Sequence, residues 1–113
     1  LVHNQYNVIF GGYASVPWKD YGGSTIDSKA FLFQLKPKLR VIQQKKSSGK
    51  GALWHKSYDC ANFGRGADLK IGDMGNIQDY NYSCPCSYKF DDASYLIGGK
   101  SSIHSSFKIN DYE

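Results

Sequence analysis

Apolar residues in this 113-residue chain form runs of only a few residues, and paired glycines follow two of these runs. Residues 7–10 end at Gly11-Gly12, and residues 94–97 end at Gly98-Gly99. Glycine permits positive φ angles and therefore favours turns. Even the long run Ala30–Phe33 is far short of the roughly 20 residues that a membrane-spanning helix needs. The pattern predicts short β-strands separated by turns, and no insertion into a membrane.

The composition agrees with a chain that is mainly β. Nine Asp accompany a single Glu, glycines number 12, and Tyr and Phe together number 15, so few strong helix formers remain. Aromatic and β-branched residues suit strands, whereas Gly, Asp and Ser suit the turns between them. A hydrophobic content of 41% with 21% charged residues excludes disorder over most of the length. The length fits one small domain.

Alternating and apolar stretches place the individual strands. We expect residues 28–35 to form a central strand covered on both faces, because the stretch alternates and then fills with apolar residues. Lys36-Pro37-Lys38 is the expected turn to a second strand near Leu39–Val41. Residues 76–92 are expected to be irregular. Further strands are predicted at residues 7–10, 68–71 and 94–97, with residues 102–109 following, and residues 52–55 are expected to be ordered.

Positive charge is concentrated in one stretch of the chain. Residues 36–56 contain seven basic side chains and no acidic one, whereas residues 57–113 contain five basic and eight acidic ones. Three interpretations remain open for this stretch: a solvated loop, a phosphate-binding surface, or a rim that steers an acidic protein partner. Nucleic-acid binding is disfavoured because aromatic residues for base stacking are not interleaved along the stretch, in which Trp54 is the single one. Residues 45–51 lack large apolar side chains and are expected to form a mobile surface loop.

No motif of established chemistry is complete. Cys84-Pro85-Cys86 with Cys60 and His55 offers zinc-ligand types, but one intervening proline does not suit two thiolates on one tetrahedral ion. A Cys84–Cys86 disulfide would be strained. The phosphate-loop, dinucleotide and catalytic-triad patterns all fail. We therefore expect no catalytic residue, no cofactor, no metal and no small-molecule substrate. The odd number of cysteines favours a reducing compartment, namely the cytoplasm.

Four segments, in order, resemble the signature of the TLDc domain. Ile9–Trp18 (IFGGYASVPW) is similar to "FGGYtSvPW", and Asp27–Leu35 (DSKAFLFQL) to "d.kAFLFsL". Phe63–Ile71 (FGRGADLKI) is similar to "FG.G.DL.I". Tyr95–Gly99, followed by Phe107, is similar to the last conserved segment. The resemblance covers nearly all 113 residues. Departures occur at residues 60–62 and 81–88 and in the 45–50 loop, which weakens any transfer of a partner-binding surface.

The resemblance implies a fold of class α+β that is mainly β: a two-layer antiparallel β-sandwich with short flanking helices. The domain, residues 1–113, is expected to be incomplete, lacking the first elements and the last strand. Glycines at turns and bulges are expected at positions 11, 12, 64, 66, 98 and 99. Core positions are expected at Phe10, Trp18, Phe31, Phe33, Leu69, Ile71, Leu96 and Phe107.

Function is implied only through the family. The resemblance implies a non-enzymatic protein-interaction module of a larger intracellular eukaryotic protein, associated with the vacuolar-type proton-pumping ATPase and with protection from oxidative stress. The expected location is cytoplasmic, at an organelle or cytoskeletal surface through a partner. An alternative is an architectural component held permanently in a large assembly, for example a cytoskeletal or ciliary one. Another hypothesis is thiol chemistry at Cys84 and Cys86.

Overall fold

The computed structural model describes residues 1–18, 22–45, 49–55, 59–65, 68–72, 81–83, 87–89 and 105–112. In these residues the regular elements are eleven β-strands and no helix, so none that could span a membrane. The expected flanking helices are therefore not found in this part of the chain. The strands are β1 (Val2–Asn4), β2 (Ile9–Tyr13), β3 (Gly23–Thr25), β4 (Phe31–Lys36), β5 (Arg40–Ile42), β6 (Leu53–His55), β7 (Asp59–Phe63), β8 (Leu69–Gly72), β9 (Asn81–Ser83), β10 (Ser105–Phe107) and β11 (Ile109–Tyr112).

The strands form two antiparallel sheets that pack as a sandwich. The five-stranded sheet has the order β11-β1-β2-β4-β5, and the six-stranded sheet has the order β10-β9-β8-β7-β6-β3. Chain neighbours that pair directly, such as β4 with β5 and β7 with β8, form hairpins. The predicted two-layer β-sandwich is confirmed.

The apolar core lies between the sheets. Phe10 of β2 and Phe107 of β10 are fully buried and meet edge to face, with ring centroids 5.1 Å apart. Because β2 and β10 belong to different sheets, this aromatic pair joins the two layers. The predicted core positions Phe10, Leu69, Ile71 and Phe107 are confirmed. Trp18 is 39% exposed and Phe31 and Phe33 are only half-buried, so those three predictions were wrong, and Leu96 lies outside the described residues.

Glycine has two different roles in the strands and turns. Gly64 has φ +84° and makes the tight turn between β7 and β8, as predicted. Gly11 and Gly12 do not end a strand, which corrects the sequence prediction: both lie inside β2. A side chain at Gly12 would collide with the Phe63 ring on the opposite sheet. Glycine at this position therefore allows β2 to approach the six-stranded sheet closely.

Three further expectations need correction. Phe31 and Phe33 of β4 face the side away from the core and Leu35 is 47% exposed, so β4 is not covered on both faces. Within residues 76–92, β9 forms a regular strand. Gly49 lies in the presumed surface loop but is buried, and its carbonyl oxygen accepts hydrogen bonds from the amides of Asp27 and Ala52, each 3.2 Å long. Residues 46–48 lie outside the described part of the chain.

Candidate interaction surfaces

The outer face of the five-stranded sheet carries an apolar surface. In β2 and β4 the pairs Gly11–Phe33 and Tyr13–Phe31 lie on this face, because their neighbours in the chain point into the core. Val41 of β5 pairs with Phe33 and extends the surface to the sheet edge. We call this surface the outer patch and define it by Tyr13, Phe31, Phe33, Leu35, Leu39 and Val41.

Aromatic stacking organises one half of the outer patch, and exposed aliphatic side chains form the other. The rings of Tyr13 and Phe31 are stacked at 5.3 Å. Leu35, Leu39 and Val41 are 47%, 69% and 57% exposed. Contiguous apolar side chains on a protein surface mark sites where another molecule binds. On β5 the side chain of Ile42 points into the core, and Val41 lies on the exposed face.

Basic side chains border the outer patch. Lys36, Lys38 and Arg40 all lie in or beside the β4–β5 hairpin and are exposed. They belong to the basic stretch 36–56, which the fold divides between two places. Lys36 and Lys38 neighbour the outer-patch residues Leu35 and Leu39 in the chain, whereas Arg40 pairs with the inward-facing Gln34. Lys45 and Lys50 lie in a separate cleft. Lys46 and Lys56 lie outside the described residues.

The second place is a cleft of about 520 Å³, which we call the basic cleft. Its lining includes three cationic side chains, two hydroxyls and one apolar side chain: Lys45, Lys50, Arg65, Ser24, Ser87 and Ile26. The three cations are exposed, and Ile26 is 60% exposed. Sequence analysis found the two lysines but missed Arg65, which joins them only through folding.

Ser87 is the structural centre of the basic cleft. Its carbonyl oxygen accepts the Lys45 amide at 2.8 Å, and its Oγ accepts the Arg65 amide at 3.1 Å. The Ser87 amide donates to both carboxylate oxygens of Asp68, at 2.9 and 2.7 Å. These bonds fix the backbones that carry Lys45 and Arg65. Because the Ser87 oxygen acts as an acceptor there, the hydroxyl keeps its own proton for donation.

Two buried carboxylates, those of Asp68 and Asp27, fix neighbouring chain segments by accepting hydrogen bonds. Asp68 is fully buried and also accepts the amide of Tyr88, at 2.9 Å. Asp27 accepts the Ser15 hydroxyl and the Ser15 amide, each at 2.6 Å, and the Lys29 amide at 3.0 Å. Burial opposes ionisation of Asp27, but these hydrogen bonds outweigh burial and lower its pKa below the ordinary value.

Tyr88 and Gln44 join the two buried carboxylate networks. The Gln44 amide group donates to the carbonyl oxygens of Asp27 and Ala30, at 2.7 and 2.8 Å. Gln44 and Tyr88 also form an isolated antiparallel bridge. The Tyr88 hydroxyl donates to the Ala52 carbonyl at 3.0 Å. Burial first, and then the negative charges of Asp68 and Asp27, raise the pKa of the Tyr88 phenol, so Tyr88 stays a neutral donor.

An apolar groove of about 460 Å³ opens between the sheets beside Trp18. The Trp18 ring meets the rings of His55 and Phe63 edge to face, each at 5.4 Å. The Trp18 ring therefore packs against the six-stranded sheet and is not part of the buried core. Residues 19–21, which follow Trp18 in the chain, lie outside the described residues.

The sequence-level candidates for chemistry do not assemble into a site within the described residues. His55 is buried, with Nε2 2.6 Å from the Thr25 hydroxyl. Cys84 and Cys86 lie outside the described residues, as does the side chain of Cys60. In the described part of the chain, no group of three or more His, Cys, Asp and Glu side chains could hold a metal ion. The thiol hypothesis therefore stays a prediction.

Comparison with family models decides the relationship. The model of the TLDc domain matches residues 1–113, the whole chain. The chain belongs to the TLDc family. Comparison with curated proteins and with solved structures gave no match. The TLDc segments quoted above now have structural roles: Ser15 and Asp27 come from two of them and bind each other, and Asp68 of a third holds Ser87 and Tyr88.

The sequence analysis did not find the hydrogen-bonding roles of these polar residues, although some of them stand in TLDc segments. Asp27 and Asp68 carried a signal, since each stands in a TLDc segment as an acidic residue next to a strand. Ser87 and Arg65 carried none, because their roles depend on a contact between segments 22 residues apart.

Proposed function

We propose that this TLDc domain is a non-enzymatic protein-interaction module that docks a protein partner on the outer patch. The observation that supports the proposal is the exposure of apolar side chains on the outer sheet face, next in the chain to exposed lysines of the β4–β5 hairpin. Leu35, Leu39 and Val41 supply apolar area, and Lys36 and Lys38 lie at its border. A partner with an apolar centre and an acidic rim complements this surface.

Through the TLDc family we further propose that the partner is the vacuolar-type proton-pumping ATPase, with a link to protection from oxidative stress. In this proposal the domain works in the cytoplasm as part of a larger eukaryotic protein. Regulation requires reversible binding, and the mixed character of the outer patch suits it. Basic residues at a rim speed association and make it sensitive to salt, while a modest apolar area limits its strength.

Affinity capture of the full-length protein from its native cells tests the proposal. Bound proteins are washed first in low and then in high salt and identified by mass spectrometry. The Leu39→Ser/Val41→Ser variant removes exposed apolar area at no change in charge. Tyr6→Ser is the matched control, because Tyr6 is also an exposed aromatic residue but lies in the β1–β2 turn outside the patch.

We expect proton-pumping ATPase subunits with the parent protein and with Tyr6→Ser, released at high salt, and strongly reduced with the double variant. Equal recovery with all three proteins would contradict docking on the outer patch. A salt-resistant set of structural proteins, with no ATPase subunits, would contradict the regulator and favour the alternative, a permanent architectural component.

A further inference from the structure

The basic cleft is a second surface, distinct from the outer patch, and its cations have no acidic partner within the described residues. The side chains of Lys45, Lys50 and Arg65 are exposed and form no ion pair there. Behind the cleft, the Asp68 carboxylate is fully buried and accepts the amides of Ser87 and Tyr88. Three cations around one concavity focus a positive potential on whatever enters it.

The cleft also holds directed hydrogen-bond donors. Ser87 is fixed by bonds to Lys45, Arg65 and Asp68, and among the described residues its hydroxyl donates to no acceptor. Ser24 of β3 adds a second hydroxyl from the other side of the lining. Guanidinium, ammonium and hydroxyl donors together match the oxygen atoms of carboxylates, because charge-assisted hydrogen bonds to oxygen anions are short and strong.

One apolar contact narrows the ligand class. Ile26 is 60% exposed in the lining of the cleft. Free phosphate or another small anion would leave this side chain in water, whereas a peptide that alternates acidic and apolar residues would cover it. Nucleic acid is disfavoured because the described residues of the lining include no aromatic ring for base stacking. The volume of about 520 Å³ lies in the range of binding pockets.

We propose that the basic cleft binds an acidic, partly apolar segment of a protein partner, with Lys45, Lys50 and Arg65 holding its carboxylates and Ile26 its apolar side chain. This proposal goes beyond docking on the outer patch. It assigns a ligand class to a separate surface and does not need the outer patch to be correct.

Fluorescence anisotropy with the full-length protein tests the proposal. The probe is a fluorescein-labelled decapeptide of alternating Glu and Leu, and its Gln/Leu counterpart is the uncharged reference. The cleft variant is Lys45→Gln/Lys50→Gln/Arg65→Gln. The control variant, Lys29→Gln/Lys89→Gln/Lys108→Gln, removes three charges as well, from exposed positions outside both the cleft and the outer patch. All substituted side chains are exposed, so both variants should fold, and their thermal melting curves are compared with that of the parent.

We expect the parent protein to bind the Glu/Leu peptide. The cleft variant should bind it about tenfold more weakly, the loss that three partly exposed charge pairs would cause. The control variant and Leu39→Ser/Val41→Ser should stay within about twofold of the parent, apart from the uniform effect of net charge. The parent should bind the Gln/Leu peptide more weakly than the Glu/Leu peptide. The cleft variant should bind both peptides with the same low affinity.

Three results would overturn the proposal. One is an equal loss of affinity for the Glu/Leu peptide in the cleft and control variants, which would show that binding depends only on net charge. Another is absence of saturable binding of the Glu/Leu peptide to the parent. The third is stronger cleft-dependent binding of a single-stranded oligonucleotide or of phosphatidylserine vesicles than of the peptide. Loss of ATPase capture in the Leu39→Ser/Val41→Ser variant with peptide binding intact would show that the two surfaces act separately.

Discussion

Asp27 joins two segments that are twelve residues apart in the chain. One carboxylate oxygen accepts the Ser15 amide, and the other accepts the Ser15 hydroxyl and the Lys29 amide. The side chain is 3% exposed, so the hydrogen bonds stand in for the water that an ionised carboxylate needs. The residue thereby fixes the chain between β2 and β4.

Replacing Asp27 with Asn should destabilise the protein by about 1–3 kcal/mol, because an amide NH₂ would face a donor at one of the two acceptor positions. Urea unfolding at pH 7 measures the change. Asp111→Asn is the control, since Asp111 is exposed on β11. An equal effect of the two substitutions would contradict the role given to Asp27.

The same carboxylate predicts a dependence of stability on pH. Its pKa is lower in the folded than in the unfolded chain, so the unfolded chain takes up the proton first. Its contribution is therefore complete above the unfolded value of 3.8 and is lost as the pH falls from there through the folded pKa. Urea unfolding between pH 6 and pH 2 should show a smaller loss for Asp27→Asn than for the parent, and parallel curves would refute this account.

At the scale of elements, residues 87–89, which we call the clamp, are bound by backbone hydrogen bonds to residues 43–45, the segment that follows β5. The Lys89 amide donates to the Gln43 carbonyl at 2.7 Å, and the Lys45 amide donates to Ser87 at 2.8 Å. Tyr88, between them, is fully buried. The clamp pairs antiparallel with the chain after β5 through the bridge between Gln44 and Tyr88, and this pairing does not form a full strand.

Tyr88→Phe should lower the free energy of unfolding by about 1 kcal/mol, because it deletes the hydrogen bond to the Ala52 carbonyl while keeping the ring. Chemical denaturation measures the change. Tyr13→Phe is the control, since Tyr13 is 47% exposed on the outer patch. If both substitutions leave the stability unchanged, the hydroxyl of Tyr88 does not stabilise the clamp.

Sequence reasoning predicted the strands better than it predicted their faces. The β4–β5 hairpin, and β8 with the glycine turn before it, follow from turn residues and short alternating runs, which are local signals, whereas β7 was not predicted. Which side of β5 is buried depends on its register with β4, because a shift of one residue exchanges the two faces. The clamp at residues 87–89 had no local pattern, since its bonds go to residues far away in the chain.

At the scale of the molecule, the sandwich followed from the TLDc resemblance, whereas the two surfaces did not. The basic stretch 36–56 is continuous in sequence, but the fold sends its residues to the outer patch and to the basic cleft. Arg65 then joins Lys45 and Lys50 from a different hairpin. The distribution of basic residues along the sequence therefore did not predict where they lie on the folded surface.

The two-layer architecture predicts unequal costs for deleting phenylalanine rings. Phe107→Ala should cost about 3–5 kcal/mol, because Phe107 is fully buried and packs on Phe10 of the other sheet. Phe33→Ala should cost about 1 kcal/mol, because Phe33 is half-buried on the outer face. Thermal and urea unfolding compare the two variants. Equal costs would contradict the assignment of inner and outer faces.

The position of Trp18 allows binding in the groove between the sheets to be followed by tryptophan fluorescence. The chain has only two tryptophans, and the Trp18 ring lies partly in water against His55 and Phe63. A molecule that enters the groove displaces water from this indole and shifts its emission to shorter wavelength. Replacing Trp54 with Phe leaves Trp18 as the only tryptophan, and excitation at wavelengths that tyrosine does not absorb then follows occupancy of the groove without any label.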